Sequence, residues 1–168
     1  FAADGTMVQG KRGNCYVAFY STDLDRIECI RSLMKSNVKI SAAKRAAKHQ
    51  VIFRIQIGSK IMFQDLLARG FMQNKSSILP YPNIPESYFG DFVRGYFDGD
   101  GHVTAGIYKR SQIRKSPFIR VLLSGFTSGS KAFLKGLQEA LIQNNIVNGG
   151  TFHFSGRGYR LVFSIKDS

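Results

Sequence analysis

Tryptophan is absent from this 168-residue chain, cysteine occurs twice and proline four times. Cys15 and Cys29 stand 14 residues apart with no CxxC pair, which fits neither a disulfide-stapled secreted domain nor a zinc site. They read as reduced core residues. Acidic side chains are also scarce, 11 Asp and Glu against 24 Lys and Arg, for a net charge of +13. No apolar run approaches the roughly 18 residues needed to span a bilayer, and the N-terminus lacks the basic-then-apolar layout of a signal peptide. The expectation is an intracellular protein without a membrane partner, in a bacterial or archaeal cytoplasm or an organelle matrix.

Aromatic residues, in contrast, are plentiful: 14 Phe and 7 Tyr supply far more core material than a disordered, solvating polymer contains. The length is that of one ordinary domain or two very small ones. A surplus of positive charge is what a polyanion binder needs, because each phosphate neutralised releases condensed counterions. Residues 1–72 carry 12 basic and 5 acidic side chains and residues 73–168 carry 12 and 6, so both halves face the same kind of partner.

The chain repeats itself. Asp4-Gly5 and Asp100-Gly101 lie 96 residues apart. After each comes a polar, Gly-punctuated stretch and then an alternating strand-like run, Cys15 to Tyr20 and Phe118 to Phe126. A helix follows in both. Asp23 is a candidate cap for Leu24, Ile27, Ile30, Leu33 and Met34, and Ser128 or Ser130 for Phe133, Leu134, Leu137, Leu141 and Ile142. Two more strands close each unit, and VIFRIQIGS from Val51 lies over LVFSIKDS from Leu161, pairing Phe53 with Phe163, Ile55 with Ile165 and Gln56 with Lys166. Each copy reads strand, strand, helix, strand, strand, which divides the chain into a first repeat over 1–72, a linker over 73–87 and a second repeat over 88–168. The span from Ile61 to Phe71 reads as a helix ending at Gly70, and the linker holds Pro80, Pro82 and Pro85.

Tyr88 to Asp100 reads as a helix capped by Ser87 and terminated by Gly101. Gly95 in its middle costs about 1 kcal/mol relative to Ala, for which close approach of a second backbone would compensate. The equivalent helix of the first copy is the expected partner, with only its tail, Phe1 to Gly5, in this sequence. Where two such helices cross, Asp4 and Asp100 end side by side, and the helix dipoles and mutual repulsion disfavour their ionisation. A divalent cation held by two carboxylates and water relieves that, and it leaves positions for phosphate oxygens, as metal-assisted phosphodiester hydrolysis requires. Asp-Gly is also a common turn dipeptide. Two copies at equivalent repeat positions, each ending a helix, argue against so plain a reading.

VRGYFDGDG, Val93 to Gly101, resembles the second motif of the LAGLIDADG homing endonucleases, and FAADG, Phe1 to Gly5, resembles the last five residues of the first. The resemblance covers essentially the whole chain. It implies an α+β fold of two pseudo-symmetric αββαββα repeats, each cut short here by part of a terminal helix. Two antiparallel sheets would form a DNA-binding saddle, with the motif helices packed at the interface of a monomer. It further implies a Mg2+-dependent double-strand DNA endonuclease acting at a long asymmetric site and encoded by a mobile intron or intein, with Mn2+ able to substitute and Ca2+ binding without cleavage. The metal ligands carried over are Asp4 and Asp100 with the backbone at Ala3 and Gly99. Asp98 becomes a helix-end residue, and its first-motif counterpart is Ala2. A Lys or Gln near the end of each fourth strand belongs to the family's catalytic surroundings, and Lys166 and Gln56 fall there. Independently, alternation puts Arg54 and Gln56 opposite Phe53, Ile55 and Ile57, and sets Arg160, Ser164 and Lys166 opposite Leu161, Phe163 and Ile165.

A twisted two-stranded ribbon can enter the major groove, where Arg and Lys read guanine and Asn and Gln read adenine. Candidates in the first copy are Gln9, Lys11, Arg12, Asn14 and Tyr16, then Lys44, Arg45, Lys48 and Arg54. Those in the second are Tyr108, Arg110, Gln112, Arg114, Arg120, His153, Arg157 and Arg160. About half or more of protein-DNA hydrogen bonds go to the backbone, so the set carries the argument rather than any member.

Gly106-Ile107-Tyr108 opens like a GIY-YIG nuclease signature, but no second half follows. The run from Asp98 fails as a calcium loop, with Val103 at the turn glycine and Lys109 at the final Glu. His49, His102 and His153 are isolated, which argues against HNH and zinc chemistry; His102 reads as a turn or phosphate contact rather than a residue beside the metal. The competing functions are an RNA-splicing maturase, a DNA-binding relative that lost cleavage, and the endonuclease part of an intein. The first two predict loss of an acid, and both acids are present.

Overall fold

A computed structural model describes residues 1–44, 50–73, 77–109, 117–156 and 158–167. The chain divides into two compact units, Phe1–Asn74 and Lys75–Ser168. In the first, β1 (Gly5–Gln9), β2 (Cys15–Ser21), β3 (Ser41–Ala43) and β4 (Ile52–Gly58) form an antiparallel sheet in the order β1-β2-β4-β3. Helices α1 (Leu24–Leu33) and α2 (Lys60–Ala68) pack on β2. In the second, α3 (Phe89–Asp100) leads into β5 (Gly101–Lys109), β6 (Phe118–Ser128), α4 (Lys131–Gln143), β7 (Thr151–Phe154) and β8 (Tyr159–Ser164), with the sheet order β5-β6-β8-β7. The predicted strand-strand-helix-strand-strand unit is therefore present twice.

The caps follow the sequence. Asp23 accepts from the Arg26 amide at 3.3 Å and starts α1, whose Ile27 is fully buried. Ser59 accepts from the Met62 amide at 3.1 Å and starts α2 one residue before the expected start at Ile61. That helix stops at Ala68, because Gly70, at φ +90°, turns the chain and returns the Phe71 amide to the Leu66 carbonyl. Of the two serines before α4, Ser130 is the cap. Ser87 does not cap α3. A 3-10 turn over Glu86–Tyr88, closed by the Tyr88 amide on the Pro85 carbonyl, leads straight into the helix, and its N-cap residue Tyr88 makes no side-chain cap bond.

The proline-rich stretch is docked on the second unit. Leu79 and Pro82 are buried, and Tyr81 lies against Phe92 and Phe133 at ring separations of 5.9 and 6.0 Å. A Cβ at Gly136 would collide with Tyr81, so α4 needs a glycine where the strap crosses it. Beneath lies an aromatic core in which Tyr96 stacks on Phe126, packs 4.6 Å from Phe133 and donates its hydroxyl to the Thr127 carbonyl.

Strand pairing gives the repeat register without appeal to sequence. Gly5 pairs with Phe19 and Phe19 with Ile55; Gly101 pairs with Phe126 and Phe126 with Leu161. Hence Ile55 corresponds to Leu161, Arg54 to Arg160, Gln56 to Val162 and Ile57 to Phe163. The pairing of Phe53 with Phe163 and Gln56 with Lys166 read from the sequence is out by four residues. An even slip preserves every inward and outward assignment, so alternation by itself could not detect it. The fourth strand of the second unit also ends at Ser164, and Lys166 lies in a 3-10 turn over Ile165–Asp167, so strand alternation does not extend to it.

One difference between the halves concerns cover. Met7 and Val17 are buried in the unit that contains α2. In the described part of the second unit only the 3-10 turn Ile165–Asp167 follows β8, and Val103, the counterpart of Met7, is 62% exposed.

Candidate nucleic-acid interface

Each of the two repeated Asp-Gly pairs sits in the same local structure. The Gly5 amide donates to the Phe1 carbonyl at 2.9 Å, and the Gly101 amide to the Phe97 carbonyl, so Asp100 occupies the last turn of α3 and Asp4 the matching hydrogen-bonded turn before β1. Phe1 meets Phe19 edge-on at 6.0 Å, and Phe97 meets Phe126 edge-on at 5.5 Å. A Cβ on Gly5 or Gly101 would collide with the ring and carbonyl oxygen of that phenylalanine. Gly101, at φ −82° and ψ 161°, is extended, so close approach rather than a left-handed backbone calls for glycine there. A Cβ at Gly95 would meet no atom of the described residues within 4 Å.

Asp4 is 54% exposed, with the Arg26 guanidinium 4.0 Å away, a loose pair of little energetic weight. Asp100 is half-buried and Asp98 exposed. Carboxylates and the carbonyls of the same turn are hard oxygen donors at the negative end of a helix, which suits Mg2+ or Ca2+ better than a soft metal. Among the described residues, no group of three or more His, Cys, Asp and Glu could hold a metal ion.

Register sorts the other candidates by face. Met7, Val17, Phe19 and Ile55 share the helix-covered face of the first sheet, which leaves Thr6, Tyr16, Ala18, Tyr20, Arg54 and Gln56 on the opposite, open face. Arg54 donates to Ser41 Oγ at 3.3 Å. Gln9, paired with Cys15, falls on the helix-covered side at the strand end, where its amide donates to Gln73 Oε1. Lys11, Arg12 and Asn14 are exposed at the first hairpin, as is Lys44 after β3. In the second sheet Tyr108, His153 and Arg160 share the open face, His153 directly opposite Arg160. Arg120, paired with Ile107, falls on the same side as Phe126 and Leu161, away from them. Arg45, Lys48, Arg110, Gln112, Arg114 and Arg157 lie outside the described residues.

Two residues outside the metal, catalytic and groove-contact candidates also stand out; of these the sequence reading misses Lys60 and assigns His102 as a turn or phosphate contact. Counted from the paired fourth strands, Lys166 corresponds to Lys60, both exposed in the first helical turn after that strand. Gln56 instead corresponds to apolar Val162. Reading from the end of each strand rather than along its alternation would have found Lys60. The second is His102, whose ring lies over Gly125: a Cβ there would meet its Cε1 at 2.9 Å and Nε2 at 3.2 Å. Partial burial, and then the charge of Arg160, hold its pKa below the usual histidine value. At the chain end, Asp167 accepts from the Ser164 amide and hydroxyl at 2.7 Å each and from the Gly150 amide at 3.1 Å, bonds that hold its carboxyl below the usual range.

The family model of the LAGLIDADG-like domain matches residues 90–150, spanning α3 and its acid through α4. The structure also superposes, over 97% of this chain and 74% of the other, on the meganuclease I-SmaMI bound to uncleavable DNA, with a TM-score of 0.61 and 14% identity. Residues 90–150 thus match a LAGLIDADG-like domain, and the chain has the fold of the LAGLIDADG meganucleases. I-LtrWI, a LAGLIDADG homing endonuclease bound to target DNA, matches over 98% of this chain and 74% of its own, with a TM-score of 0.56 and 12% identity. I-SmaMI bound to cleaved DNA gives the same TM-score at 14% identity, over 98% and 75%. Among curated proteins, a probable translation initiation factor IF-2 from Methanocaldococcus jannaschii is 25% identical over 158 residues. That match takes in 92% of this chain but only 12% of the factor, so the chain spans about an eighth of that relative's length. No helix among the described residues is long and apolar enough to cross a membrane.

Proposed function

We propose that this chain is a site-specific DNA endonuclease that hydrolyses one phosphodiester in each strand of a long, asymmetric duplex site, a single chain supplying both halves. The observation that carries this reading is the duplicated Phe-Asp-Gly helix end, with the same hydrogen bond, ring contact and glycine crowding around Asp4 and Asp100. Asp4 and Asp100 would hold Mg2+ with the carbonyls of Ala3 and Gly99, and the bound ion would supply charge neutralisation and an activated water at the phosphate. Mn2+ would substitute for it, and Ca2+ would support binding without cleavage.

The chain's own residues contribute charge and position. Lys60 and Lys166, equivalent in the two halves, supply cations for negative charge developing on the phosphates. Gln56 orients water in the first half only. Arg54, Arg160, Tyr16, Tyr108 and His153 on the open faces, with Lys11, Arg12, Asn14 and Lys44 beside them, meet the DNA backbone and base edges. The net charge of +13 supplies the non-specific part of that affinity.

Cleavage of a randomised duplex library by the complete protein, in Mg2+ and in Ca2+, tests the reading. Discrete double-strand breaks at one long motif in Mg2+ alone are expected. Asp100→Asn should abolish them while DNA binding is retained, and wild-type cleavage rates in that variant would refute the assignment. Binding enrichment without breaks would favour a DNA-binding relative, and preference for an intron RNA a maturase.

The match to a narrow segment of a translation factor favours in-frame carriage inside a host protein over a free-standing gene. Intact-mass analysis of the natural full-length product checks this: joined flanks with the segment excised indicate an intein, and an unspliced chain counts against it.

A further inference from the structure

The two halves are alike around their acids but differ on the open face beside them. Thr6 in β1 corresponds to His102 in β5, Ala18 to Gly125 and Gln56 to Val162, while Arg54 and Arg160 are the same residue type. His102 begins the open face one residue after Gly101, so it stands closest along the strand to Asp100. Its imidazole occupies the space a Cβ on Gly125 would take, and the Leu161 carbonyl closes off the same space from the next strand. A glycine there leaves room for the ring that Ala18 would deny. Arg160 follows one pleat along the neighbouring strand, with His153 opposite it. Among the described residues no group hydrogen-bonds either ring nitrogen of His102, so an N–H is available to a ligand.

We propose that His102, seated over Gly125 beside Arg160, is a DNA phosphate contact of the second half that has no imidazole counterpart in the first. The inference rests on the nuclease reading for which strand is affected, but not for the contact itself. A neutral imidazole donates one N–H and an imidazolium two, so the contact does not depend on the ring's charge. Thr6 is too short to reach as far from the strand, and the two cleavage centres are therefore unequally supported. His102 acts as a positioning residue, holding the strand cut at Asp100, and the other strand is held without it.

The test has two arms, both with the complete protein and a duplex carrying the site recovered from the randomised library. In the first, single methylphosphonate substitutions are scanned across the duplex and binding is measured in Ca2+. One position should weaken the wild type about fivefold, the size of an ordinary hydrogen bond, and leave His102→Ala unaffected. His102→Asn, which keeps a side-chain donor, should regain part of the sensitivity. If every phosphate that matters to the wild type matters equally to His102→Ala, the contact does not exist. In the second, single-turnover nicking of each strand is followed in Mg2+. His102→Ala should slow one strand about tenfold and leave the other unchanged, whereas equal slowing of both, or of neither, overturns the positioning role. A wild type that binds but nicks neither strand would end the nuclease reading while the first arm still decides the contact.

Discussion

Replacing Ser130 by alanine removes two bonds at once from the most enclosed polar site described in the second unit. Its hydroxyl accepts from the Phe133 amide at 3.2 Å as the cap of α4 and donates to the Leu79 carbonyl at 2.6 Å, and the residue is only 2% exposed. Loss of a cap costs about 1 kcal/mol. The Leu79 carbonyl, left without a partner in a buried place, adds about 1–3 kcal/mol. Together the loss comes to about 2–4 kcal/mol, a large share of the roughly 5–15 kcal/mol by which domains are stable. Ser59→Ala supplies the internal comparison, since Ser59 caps α2 from a half-buried position without a second bond and should cost about 1 kcal/mol. Urea unfolding read by circular dichroism measures both, and at a slope of about 2 kcal/mol per molar the Ser130 variant should unfold about 1–2 M earlier. Equal losses in the two variants would refute the reasoning, because they would show that the strap from Leu79 contributes nothing through this hydroxyl.

Lys60→Ala and Lys166→Ala should each slow single-turnover cleavage about 10²-fold, each on a different strand, while Val162→Ala leaves the rate near wild type. A large effect at Lys166 with none at Lys60 would restore the Gln56-Lys166 pairing and undo the register argument. Asp167 provides the pH dependence. Its carboxyl is held below its unfolded value by the Ser164 and Gly150 bonds, so its contribution is present above the unfolded pKa and is lost as pH falls through the folded one. Asp167→Asn should therefore lower thermal stability at neutral pH and flatten its decline in acid; an acid limb parallel to the wild type's would count against the clip.

Much of the candidate site was legible because helix ends and glycines leave local signatures. Asp23, Ser130 and Gly70 act where side-chain chemistry says they should, since a cap or a left-handed turn is decided within a few residues. Ser87 was the exception, where Pro85 set up a 3-10 turn that made a side-chain cap unnecessary. The open-face positions of Arg54, Gln56, Arg160 and Ser164 could be read from alternation alone. Those of Gln9 and Arg120 could not, because nothing in a hairpin's own sequence says which face the helices will cover.

The repeat itself, the two Asp-Gly helix ends, the basic surface and the order of elements were all contained in the sequence, because each depends on composition or on spacing along one chain. Tertiary structure decided what depends on pairing between strands. It moved Gln56 opposite Val162, matched Lys166 to Lys60, and seated His102 over Gly125. Alternation has a period of two and is blind to the slip of four, as to any even slip, whereas hydrogen-bonded pairing across β2, β4, β6 and β8 admits one register.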